Sequence, residues 1–147
     1  MAMSSDFRTG RHTVYNLHAH LVFLPKYRRG VLTEPVFAIL RKAWESVCRD
    51  FACTLEEANY EPDHVHVLVA YPPKVALSSL VNSLKGVSAR RIRQANLAEV
   101  HRKLWGPHFW SPSYCVVSCG GAPLQIVKRY IQTQSREGAK PAGPPRS

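Results

Sequence analysis

One segment in which histidines alternate with valines constrains the fold of this 147-residue chain more than any other feature, namely Asp63-His64-Val65-His66-Val67-Leu68-Val69. Successive side chains of a β-strand point to opposite faces, so the three valines share one face and the two histidines share the other. The segment therefore predicts a strand whose valines point into the core and whose histidines lie together on a rigid polar face.

The other hydrophobic patterns predict a single α+β domain. Strands are expected over residues 13–24, 53–60, 63–70 and 114–119, and helices over about residues 33–51, 76–95 and 123–136, with Thr33 as the first N-cap. This β-α-β-β-α-β order with a C-terminal helix is that of ferredoxin-like (RRM-like) folds, which have an antiparallel sheet. Residues 1–11 are predicted to be a flexible tail, 12–137 the domain, and 138–147, rich in Pro and Gly, a disordered tail.

The charge of the chain favours a polyanionic partner. Lysines and arginines number 20 against 10 acids, which gives a formal charge of +10, and Glu99 is the one acid between His64 and Arg136. The four cysteines form no C-x-x-C pair and match no zinc-site spacing, so we expect free thiols in a reducing cytoplasm. No apolar run approaches the length of a membrane span, and a cytoplasmic protein is predicted.

Two basic groups are candidates for DNA binding. Near residue 27, cations flank an aromatic ring that can stack on an unpaired base, and the second predicted helix combines cations with small residues that let a phosphate backbone approach. A solvated cationic surface is the alternative for each residue, and Arg91 can instead cover the apolar helix face with its stem. The candidates are Lys26, Tyr27, Arg28, Arg29, Lys85, Arg90, Arg91 and Arg93.

The histidine pair is a candidate metal site. His64 and His66 lie roughly 7 Å apart along the predicted strand, so both imidazoles can bind one divalent ion. A second pair, His18 and His20, occupies the predicted first strand, which neighbours the third in this fold. This pair is open to three interpretations: a polar sheet face, support for the first pair, or additional metal ligands.

The last predicted helix adds Tyr130 and Gln134. Residues four apart on a helix lie one above the other, about 6 Å apart, so both side chains face the same way. The Gln134 amide oxygen is a plausible third ligand, and two imidazoles with one oxygen suit Mg²⁺ or Mn²⁺. Alternatively, Tyr130 is an interface aromatic and Gln134 a solvated helix residue.

Five sequence blocks, in order along residues 13–137, resemble the single-tyrosine HUH transposases of bacterial insertion sequences, the small TnpA type, to which REP-associated tyrosine transposases are related. The blocks are His20-Leu21-Val22-Phe23 with Lys26-Tyr27-Arg28, Pro62-Asp63-His64-Val65-His66, Leu84-Lys85-Gly86 with Ser88-Ala89-Arg90-Arg91, Trp110-Ser111-Pro112-Ser113-Tyr114, and Tyr130-Ile131 with Gln134.

This resemblance implies specific roles. His64 and His66 match the metal-binding pair of the family, Tyr130 its catalytic nucleophile, and Gln134 the glutamine that completes the metal site. The implied enzyme is a metal-dependent, homodimeric DNA transposase that cleaves and rejoins single-stranded DNA at hairpin-bearing element ends. Its intermediate is a 5′-phosphotyrosine, and the tyrosine helix of one subunit can serve the histidines of the other.

Three other interpretations remain open at the level of the sequence. An RRM-like module would bind RNA or single-stranded DNA without cutting it, although the sequence lacks the aromatic RNP pattern. A related HUH nuclease, or a domesticated, non-catalytic hairpin-binding relative, would keep the same fold. A zinc hydrolase would need an acidic general base, for which Asp63 and Glu61 are the candidates near the histidine pair.

Overall fold

The protein is described by a computed structural model at residues 8–9, 14–26, 30–103, 108–118 and 130–133. Two short strands, β1 (Arg8–Thr9) and β2 (Val14–Tyr15), form an antiparallel ladder at the start. The strand β1 falls inside the segment expected to be a tail, where its backbone pairs with β2.

The main sheet has four antiparallel strands in the order β4-β5-β3-β6. These strands are β3 (His18–Pro25), β4 (Thr54–Glu61), β5 (His64–Ala70) and β6 (Trp110–Ser118). The helices α1 (Glu34–Asp50) and α2 (Leu77–Ala95) connect β3 to β4 and β5 to β6, and the short helix α3 (Ala98–Lys103) follows α2. The predicted β-α-β-β-α-β architecture is therefore confirmed.

Several boundaries differ from the prediction. The strand expected over residues 13–24 is divided into β2 and β3, because Asn16 and Leu17 are not in a strand. The helix α3 was not expected, and β6 begins at Trp110, four residues before the predicted start at Tyr114. Pro112 lies within this strand, although proline cannot donate to a ladder. An edge strand tolerates a proline whose missing N–H would face outward, and β6 lies at the edge of the sheet.

The C-terminal helix predicted over about 123–136 is described only at residues 130–133, which are helical. Its remaining residues, Gln134 among them, and the predicted C-terminal tail lie outside the described residues.

Local signals account for the boundaries of α1. The Thr33 hydroxyl accepts a hydrogen bond from the Val36 amide at 3.5 Å, and Pro35 lies in the first turn, where its missing N–H is not needed. The helix α2 has no side-chain N-cap, and it ends at Asn96, which adopts a left-handed conformation.

The two faces of the main sheet differ. One face and the helices enclose the main core, in which Val65, Val67 and Val69 are fully buried. On the opposite face, Val22 and Leu24 pack against a smaller set of partly buried side chains: Cys115, Val117, Tyr130 and Ile131. No helix in the described part of the chain is long and apolar enough to cross a membrane.

Candidate metal and tyrosine site

His64 and His66 lie half-buried on the sheet face opposite the buried valines of β5. This placement follows from the strict alternation of the strand. β5 is an inner strand of the main sheet, between β3 and β4, so both histidines stand on rigid backbone.

Asp63 orients the ring of His64. The Asp63 Oδ1 atom lies 2.8 Å from His64 Nδ1. An ionised carboxylate can only accept, so Nδ1 carries the proton and the lone pair of the ring is on Nε2. A carboxylate that fixes the tautomer of a histidine in this way is common behind metal-binding imidazoles.

His20 contacts the ring of His66. The His20 Nδ1 and His66 Nε2 atoms are 2.8 Å apart, and the ring planes meet at 20° with centroids 4.8 Å apart. Burial lowers the pKa of His66, and the neighbouring His20 and His64 lower it further, although Glu57 opposes this shift. A lowered pKa favours the neutral imidazole, which is the form that binds metal ions.

The structure separates the other predicted pair. His20 joins the histidine cluster, whereas His18 Nε2 lies 3.3 Å from Glu56 Oε1 on β4. The sheet places β3 beside β5, so the supporting role considered for His20 is consistent with its position, while His18 is engaged elsewhere.

Tyr130 lies on the same sheet face as the histidines. Its ring packs in the small cluster around Val22 and Leu24, and its hydroxyl is 2.9 Å from Ser113 Oγ on β6. The strand β6 lies two strands away from β5, roughly 10 Å across the sheet, with β3 between them. Val22 pairs with His66 in the register, so Tyr130 and the imidazoles share one face of the sheet.

The residues after Tyr130 reach the histidine strand. Ile131 and Gln132 line an open cleft of about 630 Å³ together with Glu61, Pro62, Asp63 and His64. Among the described residues no three His, Cys, Asp or Glu side chains are arranged to hold a metal ion. Two oriented imidazoles beside an open cleft fit a divalent ion that takes further ligands from an amide, a phosphate or water.

The basic candidates fall into two groups. Lys26 and Arg93 are exposed and Lys85 is half-buried, and these three line one cavity between α2 and the start of β6. Arg90 is exposed and Arg91 half-buried, and neither lines that cavity. Tyr27, Arg28 and Arg29 lie outside the described residues.

Lys85 is anchored to β6. Its Nζ donates to the backbone oxygen of Ser111 at 2.7 Å and to that of Ser113 at 3.5 Å, and it lies 5.5 Å from the ring centroid of Tyr114. Burial lowers the pKa of Lys85 below its ordinary value. This lysine is thus held in position rather than solvated as a long flexible side chain.

Comparison with known proteins identifies the family. The family model described as transposase IS200 like matches residues 13–134 of this chain. The chain belongs to this family. The resemblance read from the five sequence blocks is thereby confirmed.

Relatives of this transposase align along most of its length. It is 33% identical over 129 residues to the ISDra2 transposase TnpA of Deinococcus radiodurans, which covers 88% of this chain and 91% of that protein. It is also 33% identical over 138 residues to the transposase for insertion sequence element IS200 of Salmonella typhimurium, covering 90% of this chain and 86% of that protein.

Solved structures support the same fold. A Deinococcus radiodurans crystal structure assigned as a transposase superposes with a TM-score of 0.76 at 33% identity, over 86% of this chain and 97% of that one. A REP-associated tyrosine transposase, solved bound to a REP hairpin, superposes with a TM-score of 0.54 at 15% identity, over 92% of this chain and 74% of that one.

Two residues that contact the candidate site residues of this transposase were not assigned these contacts from the sequence. Asp63 was considered only as an acid for a zinc hydrolase, although its position directly before His64 is the signal for an orienting carboxylate. Ser113 belongs to a recognised block, but no local pattern pairs it with Tyr130. That pairing depends on where residues 130–133 lie against the sheet.

Proposed function

We propose that this transposase cleaves and rejoins single-stranded DNA at hairpin-bearing element ends, with Tyr130 as the nucleophile. A divalent metal, Mg²⁺ or Mn²⁺, would be held by His64 and His66, with Gln134 as the third ligand. One observation carries the proposal: Tyr130 lies on the sheet face of the two histidines, and the residues that follow it line a cleft with His64.

The reaction needs no external energy source. The Tyr130 phenol loses its proton, its oxygen attacks the scissile phosphorus, and the bond to the 3′-oxygen breaks. The products are a 5′-phosphotyrosine and a strand with a free 3′-hydroxyl. In the reverse step a 3′-hydroxyl attacks the ester and the phenolate leaves, so the ester conserves the energy for rejoining.

The protein groups around the metal site prepare it for binding. Asp63 holds His64 with Nε2 as its lone-pair nitrogen, and burial lowers the pKa of His66, which favours its neutral form. When bound, a divalent ion would neutralise charge on the phosphate oxygens and favour the phenolate over the phenol, whose ordinary pKa is about 10. The protein orients the phosphodiester for in-line attack.

A homodimer with DNA hairpins as its substrate is part of the proposal. The hairpin is supported by the structure of the REP-associated relative, which was solved bound to a REP hairpin. The dimer comes from the family resemblance alone, in which the tyrosine helix of one subunit can serve the histidines of the other.

Adduct formation tests the proposal. Labelled single-stranded hairpins from the flanks of the gene are incubated with the protein and Mg²⁺ or Mn²⁺, then separated on a denaturing gel. We expect a covalent protein–DNA adduct that Tyr130→Phe abolishes and that His64→Ala reduces by on the order of 100-fold or more.

Tyr71→Phe is the matched control, because Tyr71 follows β5 at the opposite end of the sheet from His64. It should form the adduct at the wild-type rate. Tight hairpin binding without an adduct, with either metal, would instead identify a domesticated, non-catalytic hairpin-binding protein.

A further inference from the structure

A second pocket, partly open to solvent, lies beside α2, away from the histidine face. It has a volume of about 390 Å³, within the range of about 300–1,000 Å³ that is usual for small-ligand pockets. Its walls come from the end of β3, the middle of α2 and the start of β6. They are Lys26, Lys85, Gly86, Ala89, Arg93, His108, Phe109, Trp110, Ser111 and Pro112.

The charges of this cavity favour an anion. Three of its ten lining residues are cations, Lys26, Lys85 and Arg93, and none is acidic. Lys85 is held towards the start of β6 by the carbonyl oxygens that it contacts there. The pKa of Lys85 is lowered because burial removes water from around its ammonium group. An anion beside Lys85 would compensate for this lost solvation.

The floor of the cavity is apolar and rigid. Phe109 and Trp110 are only 2% and 6% exposed, and the Trp110 indole Nε1 donates to Ser88 Oγ at 3.0 Å. A floor fixed in this way keeps its shape when a flat ligand packs against it. An anion-binding rim above an apolar floor matches the two parts of a nucleotide, its phosphate and its base.

Gly86 contributes no side chain to the part of the cavity that α2 lines. A Cβ atom built at this position meets no other atom within 4 Å. Glycine within a helix costs about 1 kcal/mol relative to alanine, so packing does not explain its presence here. The missing side chain widens the space that a ligand could occupy.

The cavity lies close to the proposed nucleophile. The Ser113 backbone oxygen accepts from Lys85, while the Ser113 hydroxyl contacts that of Tyr130. The register pairs Pro25 with Trp110, which puts the cavity at the same end of the sheet as His64. A single residue of β6 therefore separates the cation of the cavity from the phenol.

We infer that this cavity is a subsite for one unpaired nucleotide of the DNA strand, with its phosphate against Lys26, Lys85 and Arg93 and its base over the apolar floor. The inference rests on the proposed function in one respect, which is that single-stranded DNA is the ligand.

Steric filling of the cavity is the decisive test. Fluorescence anisotropy in EDTA measures the affinity for two labelled hairpins from the gene's flanks, one blunt and one with a single-stranded extension. We expect Gly86→Leu to weaken binding of the extended hairpin by about 10–100-fold, and the blunt hairpin by less than about twofold, because the two hairpins share the same closed loop and only the extension adds a free unpaired strand. Arg93→Gln should also act selectively on the extended hairpin.

Two controls accompany this measurement. Gly86→Ala adds a Cβ where there is room, and it should leave both affinities unchanged. Arg90→Gln removes an exposed cation of the same helix that does not line the cavity, and it should not distinguish the two hairpins. Urea unfolding and circular dichroism establish that each variant is folded.

Equal losses for both hairpins, or no loss with Gly86→Leu, would overturn the subsite. The proposed function is tested separately by the adduct. If Gly86→Leu weakens only the extended hairpin while the wild type forms no adduct, the subsite stands and the catalytic proposal fails. If the adduct forms but Gly86→Leu binds both hairpins as the wild type does, the catalytic proposal stands and the subsite fails.

Discussion

At the scale of single residues, each imidazole of the candidate site has a neighbour that limits its chemistry. Asp63 sets the tautomer of His64, and His20 contacts the ring nitrogen of His66. Tyr130 likewise has a partner, the hydroxyl of Ser113. These contacts orient groups whose reactivity depends on which atom carries the proton.

Removing the Asp63 carboxylate should weaken metal binding. In Asp63→Ala, His64 loses the acceptor at 2.8 Å and with it the preference for a lone pair on Nε2. Loss of such an orienting carboxylate typically costs about 10–100-fold in metal affinity. Calorimetric titration with Mn²⁺ measures the change, and Asp50→Ala, an exposed acid at the end of α1, is the matched control. Equal Mn²⁺ affinities in the two variants would contradict the orienting role.

At the scale of elements, hydrogen bonds surrounded by apolar side chains link α2 to the start of β6. Ser88, which is fully buried, donates to the Leu84 carbonyl at 2.6 Å and accepts from the Trp110 indole at 3.0 Å. One turn earlier, Lys85 reaches the carbonyl of Ser111. These contacts position the walls of the cavity relative to each other.

Ser88→Ala should destabilise the protein by about 1–3 kcal/mol, because the buried Trp110 indole loses this acceptor and the alanine cannot replace it. Urea unfolding monitored by tryptophan fluorescence measures the free energy of unfolding. Ser79→Ala on the exposed side of the same helix is the control and should change it by less than about 0.5 kcal/mol. A Ser88→Ala variant as stable as this control would show that the link between α2 and β6 is energetically neutral.

At the scale of the whole molecule, one sheet separates two different environments. The helices cover one face with a continuous core, and the other face carries the histidines and residues 130–133. Both the cleft beside His64 and the cavity beside α2 open at the same end of the sheet. DNA bound at that end could contact both without crossing the body of the domain.

Global stability should depend on pH through a buried thiol. Burial, followed by the neighbouring Cys53 and Glu45, raises the pKa of Cys48 from 9.0 to about 12. Between these values the folded state retains a proton that the unfolded chain releases, so stability falls as the pH rises through this window. The expected loss from this group is about 1.4 kcal/mol per pH unit above 9.

Urea unfolding of Cys48→Ala between pH 8 and pH 10.5 checks this expectation. The variant is less stable at every pH because it leaves a cavity, but its stability should decline less steeply above pH 9 by about 1 kcal/mol per unit. Ser46→Ala, on the same helix, removes no titratable group and should keep the wild-type slope. Parallel curves for Cys48→Ala and the wild type would refute the role of this thiol.

Local pattern alone determined much of this protein. The alternation of residues 63–69 predicted which side chains of β5 are buried, and Thr33 predicted the start of α1. The order of elements followed from periodicity and proline positions, and the five blocks identified the family. These features depend on residues that are near each other in sequence, where strand and helix geometry dictate the direction of side chains.

Only the tertiary structure decided which distant groups meet. His20 and His66 are 46 positions apart, and they meet because β3 lies beside β5. Ser113 and Tyr130 are 17 positions apart, and the cavity gathers residues from β3, α2 and β6. No periodicity encodes such contacts, because they depend on strand order, register and the packing of one element on another.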